Sequence, residues 1–204
     1  ERLKHEANPP AAQPGAPNVV LAGSLPRGVD EGFYAEAVSE MTRLGARVVL
    51  DAEGEPLQRG IEAEPWLVSP NRHEAVQLVG QELEDQDDFL MALDTIAEMG
   101  ARNVHITMAS GCYALVREER QVRRYRALAP QLEPVSLLGA GDALLAQYLA
   151  AVLDDRPVEE ALRFAVGVGS ASVLEVGAGC FDPREAARLS ALVETRELEP
   201  VART

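Results

Sequence analysis

The sequence predicts an α/β fold built on a mostly parallel sheet. Short apolar runs bounded by turn residues alternate with amphipathic stretches of helical period, the pattern of strands separated by helices. The first unit reads strand, helix, strand, which implies parallel pairing through a right-handed crossover. Further on, a turn of small residues, Gly139-Ala140-Gly141-Asp142, leads from an apolar run into a long helical pattern.

In chain order, residues 1–17 are polar and rich in Pro and Ala and read as a linker or loosely held lead-in. Asn18–Ala22 reads as a buried strand ending in Gly23-Ser24-Leu25-Pro26-Arg27-Gly28. Asp30 is placed to cap a helix with Phe33, Ala37, Val38, Met41 and Leu44 on one face and Gly45 as its stop. The strand Arg47–Asp51, a short helix over Glu55–Ile61 and the strand Trp66–Ser69 follow. Pro70-Asn71-Arg72-His73-Glu74 opens a helix to Val79, and a second helix over Asp87–Met99 stops at Gly100. Arg102–Thr107 reads as a buried strand, then Tyr113–Arg117 and Val122–Arg126 as a hairpin. Three helices, 140–153, 157–175 and 183–194, are expected to close the chain.

With 204 residues, 47% of them hydrophobic, the chain can bury one sizeable core. A net charge of −14 argues against nucleic acid or an anionic membrane as partner, because both require a basic face. Basic residues are almost all arginine, Lys4 being the one lysine, which reads as compositional bias or salt adaptation. No apolar run reaches the ~18–20 residues of a membrane span, no signal peptide opens the chain, and a cytoplasmic location is expected. Cys112 and Cys180 form neither a disulfide framework nor a metal cluster and read as packed free thiols. His105, inside an apolar strand, reads as a satisfied core residue.

The Gly139–Asp142 turn carries the chemistry. Small residues let the backbone bend sharply and let a ligand approach it closely. The helix behind it offers unpaired N–H groups and a positive dipole end, which together form an anion site, commonly for phosphate. A carboxylate beside a phosphate site can take the proton from whatever attacks the phosphate, although Asp142 would also serve as a dipole partner. Asn71 and Glu74 have two readings: a capping box that needs no ligand, or a pair holding hydrated Mg²⁺ near phosphates. Thr107-Met108-Ala109-Ser110-Gly111 fits a nucleotide loop or a plain turn. Gly23 and Ser24 sit at the carboxyl end of a strand, where open α/β sheets bind ligands.

Read in order, Gly-Ser-Leu-Pro-Arg-Gly at 23–28, Leu-Asp-Ala-Glu-Gly at 50–54, Pro-Asn-Arg-His-Glu at 70–74, the turn at 139–142, Glu160–Ala165 and Gly177-Ala178-Gly179 resemble the ribokinase-like (PfkB) carbohydrate kinases, in the branch of 1-phosphofructokinase and tagatose-6-phosphate kinase. The resemblance covers almost all of residues 18–195. It implies the C-terminal, nucleotide-binding portion (18–204) of a three-layer αβα, Rossmann-like fold, and ATP-dependent phosphorylation of a sugar or sugar phosphate. By the same likeness Asp142 would be the catalytic base, Gly139, Ala140 and Gly141 the anion hole, and Asn71 and Glu74 the Mg²⁺-phosphate organisers, with the metal reached through water. Thr107, Ala109, Gly111 and Gly177 would border the nucleotide, and Gly23 and Ser24 the sugar. The likeness also leaves room for a monovalent cation and a homodimer.

The departures are Leu137 for Ser or Thr, Gln147 for a small residue, Ser69 for lysine, Ala178 for Thr, and Ala109 and Cys112 at the places of two loop glycines. Cys112 is expected to crowd the adenine space, which keeps a non-catalytic relative binding a sugar phosphate or nucleotide as the alternative. The family's front is not recognisable in residues 1–17. The chain is therefore expected to be part of a longer kinase, with strands 19–22, 48–50 and 104–107 pairing to central strands supplied from outside it.

Overall fold

The computed structural model describes residues 17–118 and 121–201. A seven-stranded sheet runs through it in sequential order: β1 Asn18–Ala22, β2 Arg47–Asp51, β3 Leu67–Val68, β4 Asn103–Met108, β5 Gly111–Glu118, β6 Gln121–Leu128 and β7 Glu194–Leu198. β1 to β4 pair in parallel and β4 to β7 antiparallel. This is the α/β sheet the sequence predicts, parallel through its first four strands and antiparallel from the hairpin on.

Alternation along the parallel strands sends side chains to two cores. Leu50, Val68, Val104 and Ile106 pack against one helical layer, formed by α1 Phe33–Arg43, α2 Gly54–Glu62, α3 Arg72–Val79 and α4 Gln86–Met99. Val49, Leu67, Cys112 and Ala114 pack on the other face against α5 Ala140–Leu153 and α6 Val158–Ser172, with α7 Pro183–Ser190 outside α6. The result is helix, sheet, helix. At Gly167 of α6 an added Cβ would overlap Ser190, so α7 sits directly on that backbone.

Several sequence expectations are corrected. The chain does not end in helices: α7 stops at Ser190 and a charged strand, Glu194–Leu198, closes the sheet by pairing with β6. α6 spans Val158–Ser172 and not 157–175. Asp30 is not the cap of α1; Gly32 is, and the Asp30 carboxylate accepts the Gly32 N–H at 2.7 Å inside the preceding turn. β2 and β4 have partners on both sides within the chain, so neither awaits an outside strand. The sheet's edges are β7 and, on the parallel side, β1, where Val20 is 47% exposed. Apart from Pro17, whose carbonyl accepts the Arg47 N–H at 2.9 Å, the expected lead-in lies outside the described residues.

His105 is in the core as expected but is not satisfied. It is fully buried, edge-on to the Tyr148 ring at 4.2 Å, and neither ring nitrogen has a hydrogen-bond partner among the described residues. Burial pushes its pKa down to about 3.

Candidate active site

Of the predicted site residues, Gly23, Ser24, Asn71, Thr107, Ala109 and Gly111 lie at the carboxyl ends of the parallel strands. β1 ends at Gly23-Ser24, β2 at Asp51, β3 runs into Asn71, and β4 ends at the 107–111 loop. The segment after β3 lies against β4: Asn71 bridges Thr107, and the Thr107 N–H donates to the Pro70 carbonyl at 3.0 Å.

Gly139 caps α5 in the left-handed region, at φ +75°. A Cβ there would stand 2.6 Å from the Gly179 nitrogen and 2.9 Å from the Ala178 Cα. Both the angle and the crowding demand glycine. The crowding also shows that the loop after α6 braces the turn. Val135 and Ser136 N–H groups add to that brace by donating to the Val173 carbonyl at 2.7 and 3.1 Å.

Of the three N–H groups expected in the anion hole, that of Ala140 is turned back to the Leu137 carbonyl at 3.3 Å. The N–H groups of Gly139, Gly141 and Asp142 have no partner among the described residues. The amides left free at this turn are thus those of Gly139, Gly141 and Asp142 in place of Ala140. The Asp142 side chain is exposed at this turn.

Asn71 and Glu74 form a complete capping box: the Glu74 N–H donates to Asn71 Oδ1 at 3.0 Å, and the Asn71 N–H to Glu74 Oε2 at 2.8 Å. The cap reading is thus correct, and it leaves the other Glu74 oxygen free of these bonds. Glu74 titrates above the ordinary carboxylate range, chiefly through burial.

Sequence reasoning quoted Asp51 but gave it no role. Its partly buried carboxyl is pushed up to about 6, first by burial and then by the charges of Asp142 and Glu74. Three carboxylates from three elements therefore share one electrostatic neighbourhood. The available signal was an apolar strand ending in a carboxylate at the ligand-binding edge of the sheet. Among the described residues no group of three His, Cys, Asp or Glu is arranged to ligate a metal directly. The donors fit a hydrated divalent cation, which would offset the like charges that hold Asp51 up.

Beside these acids opens a cavity of about 750 Å³. Asn71, Thr107, Ala109 and Gly111 line it, as do Ala140 and Gly141 at the start of α5. Its far wall, from Pro130–Leu132 and from Val166, Gly169, Ser170 and Val173 of α6, was not foreseen. Gly177 is not on the wall; it belongs to the loop whose next two residues brace Gly139. Cys112 does not line it either. Its side chain is 1% exposed in the core on the α5–α6 side, while Gly111 lines the cavity and an added Cβ there would overlap the Ala127 carbonyl. The expected crowding by Cys112 is absent because its side chain is buried in the core beneath α5 and α6. Cys180, expected to pack, is exposed.

Residues 4–184 match the pfkB family carbohydrate kinase profile. The chain belongs to the pfkB carbohydrate kinase family. It is 36% identical over 154 residues to 1-phosphofructokinase of Bacillus subtilis, covering 76% of this chain and 50% of that protein. With 1-phosphofructokinase of Vibrio cholerae it shares 30% over 181 residues, 89% of this chain and 56% of the relative. The crystal structure of phosphofructokinase-2 from Escherichia coli in complex with potassium superimposes with a TM-score of 0.77 at 28% identity, over 86% of this chain and 56% of that one. The chain thus spans about half the length of the curated relatives it matches, and its fold is ribokinase-like. No helix of the described residues is long and apolar enough to cross a membrane.

Proposed function

We propose that the protein transfers the terminal phosphoryl group of ATP to a hydroxyl of a sugar or sugar phosphate of the phosphofructokinase and tagatose-phosphate kinase type. One observation carries this reading: Asp142 stands at the amino end of α5, on the turn whose free N–H groups border a nucleotide-sized cavity. A protein that only bound phosphate would gain nothing from a carboxylate at that place, since it repels the ligand.

In this reading the nucleotide lies in the cavity with its terminal phosphate at the amides of Gly139, Gly141 and Asp142. Asp142 takes the proton of the acceptor hydroxyl as the new O–P bond forms. The bond from the transferred phosphorus to the bridging oxygen breaks, and ADP leaves with that oxygen. The amides, fixed by the brace from Ala178 and Gly179, stabilise charge on the phosphoryl oxygens without having to reorganise. Asn71, Glu74 and Asp51 hold Mg²⁺ through water. When bound, the metal neutralises phosphate charge, and the three residues set its place relative to Asp142. Thr107, Ala109 and Gly111 border the nucleotide, and Gly23 and Ser24 face the acceptor. The potassium named with the E. coli phosphofructokinase-2 structure supports a monovalent cation in this reading.

The alternative, a non-catalytic relative, rested on an eroded nucleotide loop. With Cys112 turned into the core and Gly111 on the cavity wall, that argument loses its main support. The test is phosphoryl transfer to fructose 1-phosphate by the full gene product. Asp142→Asn is expected to keep Mg-ATP affinity and lose about 10²–10⁴ in turnover, the usual worth of a positioned base. Turnover within a few-fold of wild type would return Asp142 to a dipole role.

A further inference from the structure

Between β1 and α1 the chain makes a ten-residue excursion, 23–32, that carries Ser24. Its internal bonds, Val29 N–H to the Pro26 carbonyl at 3.2 Å and Gly32 N–H to Asp30 at 2.7 Å, shape the loop, while Leu25 packs against the core and Glu31 faces Arg59 of α2 at 3.9 Å. Two contacts tie its start. On one side the Gly23 N–H donates to the Asp51 carbonyl at 2.9 Å. On the other, the Tyr34 hydroxyl lies 2.8 Å from the Gly23 carbonyl oxygen and 3.1 Å from that of Ala22. The hydroxyl has one proton, so it serves these two acceptors as a shared donor.

Tyr34 belongs to the first turn of α1, beyond the loop's end, so the loop is closed on its own beginning. Its ring is 6% exposed in the core that also holds Leu50, Ala52, Leu57 and Ile61, which makes it a rigid mount. Burial and the charge of Asp51 push the phenol's pKa up, so it remains a donor across the neutral range. Gly23, at φ +89°, then turns the chain sharply. Ser24 emerges exposed, its hydroxyl without a partner among the described residues, one residue beyond the Gly23–Asp51 bond.

We propose that Tyr34 is a positioning residue for the acceptor: clamping the Ala22 and Gly23 carbonyls, it sets the direction in which Ser24 is presented beside Asp51. The claim rests on the reading of Gly23 and Ser24 as acceptor contacts and adds a determinant of acceptor affinity outside the contact residues. Nucleotide binding, on the other side of Asp51, does not pass through this clamp.

Tyr34→Phe keeps the ring and removes the donor. Calorimetry on the full gene product, with fructose 1-phosphate and Mg-ATP as separate probes, is paired with amide exchange of residues 24–28. The variant should bind fructose 1-phosphate about three- to ten-fold more weakly, the worth of one partly buried hydrogen bond. Its Mg-ATP affinity should hold, and exchange at 24–28 should accelerate while β2 and α2 keep their protection. Equal loss of both ligands would mean a merely structural role and would overturn the inference. Faster exchange with unchanged acceptor affinity would overturn it too. Wild-type protein that binds neither probe overturns the kinase reading and this inference together, whereas wild type that binds both, with no difference in the variant, overturns this inference alone.

Discussion

Asp51→Asn is expected to stabilise the protein above pH 6 and to leave it nearly unchanged near pH 3.5. In the folded protein the Asp51 carboxyl is pushed from its ordinary 3.8 up to about 6. Across that window the folded chain holds a proton that the unfolded chain has released. Stability therefore falls as pH rises from about 4 to 6 and stays reduced above it. A shift of about two pH units corresponds to about 3 kcal/mol at most, and screening of a partly exposed carboxylate lowers that to roughly 1–2 kcal/mol. In a chain of this size each kcal/mol moves the melting temperature by about 2–4 °C, so the variant should gain about 2–8 °C at pH 7.5. Mg²⁺ should raise the melting temperature of wild type at pH 7.5 and that of the variant less, because the charge it offsets has gone. Scanning calorimetry at both pH values, with and without Mg²⁺, reads all four numbers. The same gain at both pH values, or no gain at either, would refute the charge argument; an equal Mg²⁺ response in both proteins would remove Asp51 from the metal.

Other consequences are as direct. Glu74→Gln keeps an acceptor for the Asn71 N–H and so should hardly move the melting temperature, while raising the Mg²⁺ needed for half-maximal turnover several-fold; unchanged Mg²⁺ dependence would leave Glu74 as a cap alone. His105 titrates at about 3 in the fold against its usual 6.5, so the unfolded chain binds its proton first and stability is lost as pH falls through that interval. His105→Phe should flatten this slope in a pH series of melts, and an identical slope would mean other groups carry it. Gly139→Ala puts a Cβ into the Ala178–Gly179 backbone at a left-handed φ; it should cost at least about 1–3 kcal/mol and loosen the anion turn, and a melt within a degree of wild type would contradict the brace.

Most of the sheet was legible because β1 to β4 are apolar runs punctuated by turn residues, and the hairpin shows the same period. β7 was not, because Glu194-Thr195-Arg196-Glu197-Leu198 has no apolar face to announce it. It forms at the sheet edge, where backbone pairing with β6 suffices and charged side chains discourage further pairing. The capping pair Asn71 and Glu74 and the first-turn position of Asp142 were readable because helix starts fix their spacing. The far wall of the cavity was not, since Val166, Gly169 and Val173 are ordinary helix residues until α6 is laid beside α5. Cys112 was misplaced for a local reason: its side chain is sealed in the core between β5 and the α5–α6 layer, which its place next to the loop does not reveal. His105 shows a further limit, in that apolar neighbours predict burial and say nothing of hydrogen-bond partners.

The central claim is that the cavity beside the Gly139–Asp142 turn takes a magnesium nucleotide whose terminal phosphate sits on that turn. Isothermal titration of the protein with Mg-ATP, beside Gly139→Ala and Asp142→Asn, tests it most directly. Saturable one-to-one binding is predicted, retained in Asp142→Asn and weakened at least about ten-fold in Gly139→Ala, since several charge-assisted hydrogen bonds depend on the turn. Absence of binding by wild type, or binding indifferent to Gly139, would contradict it.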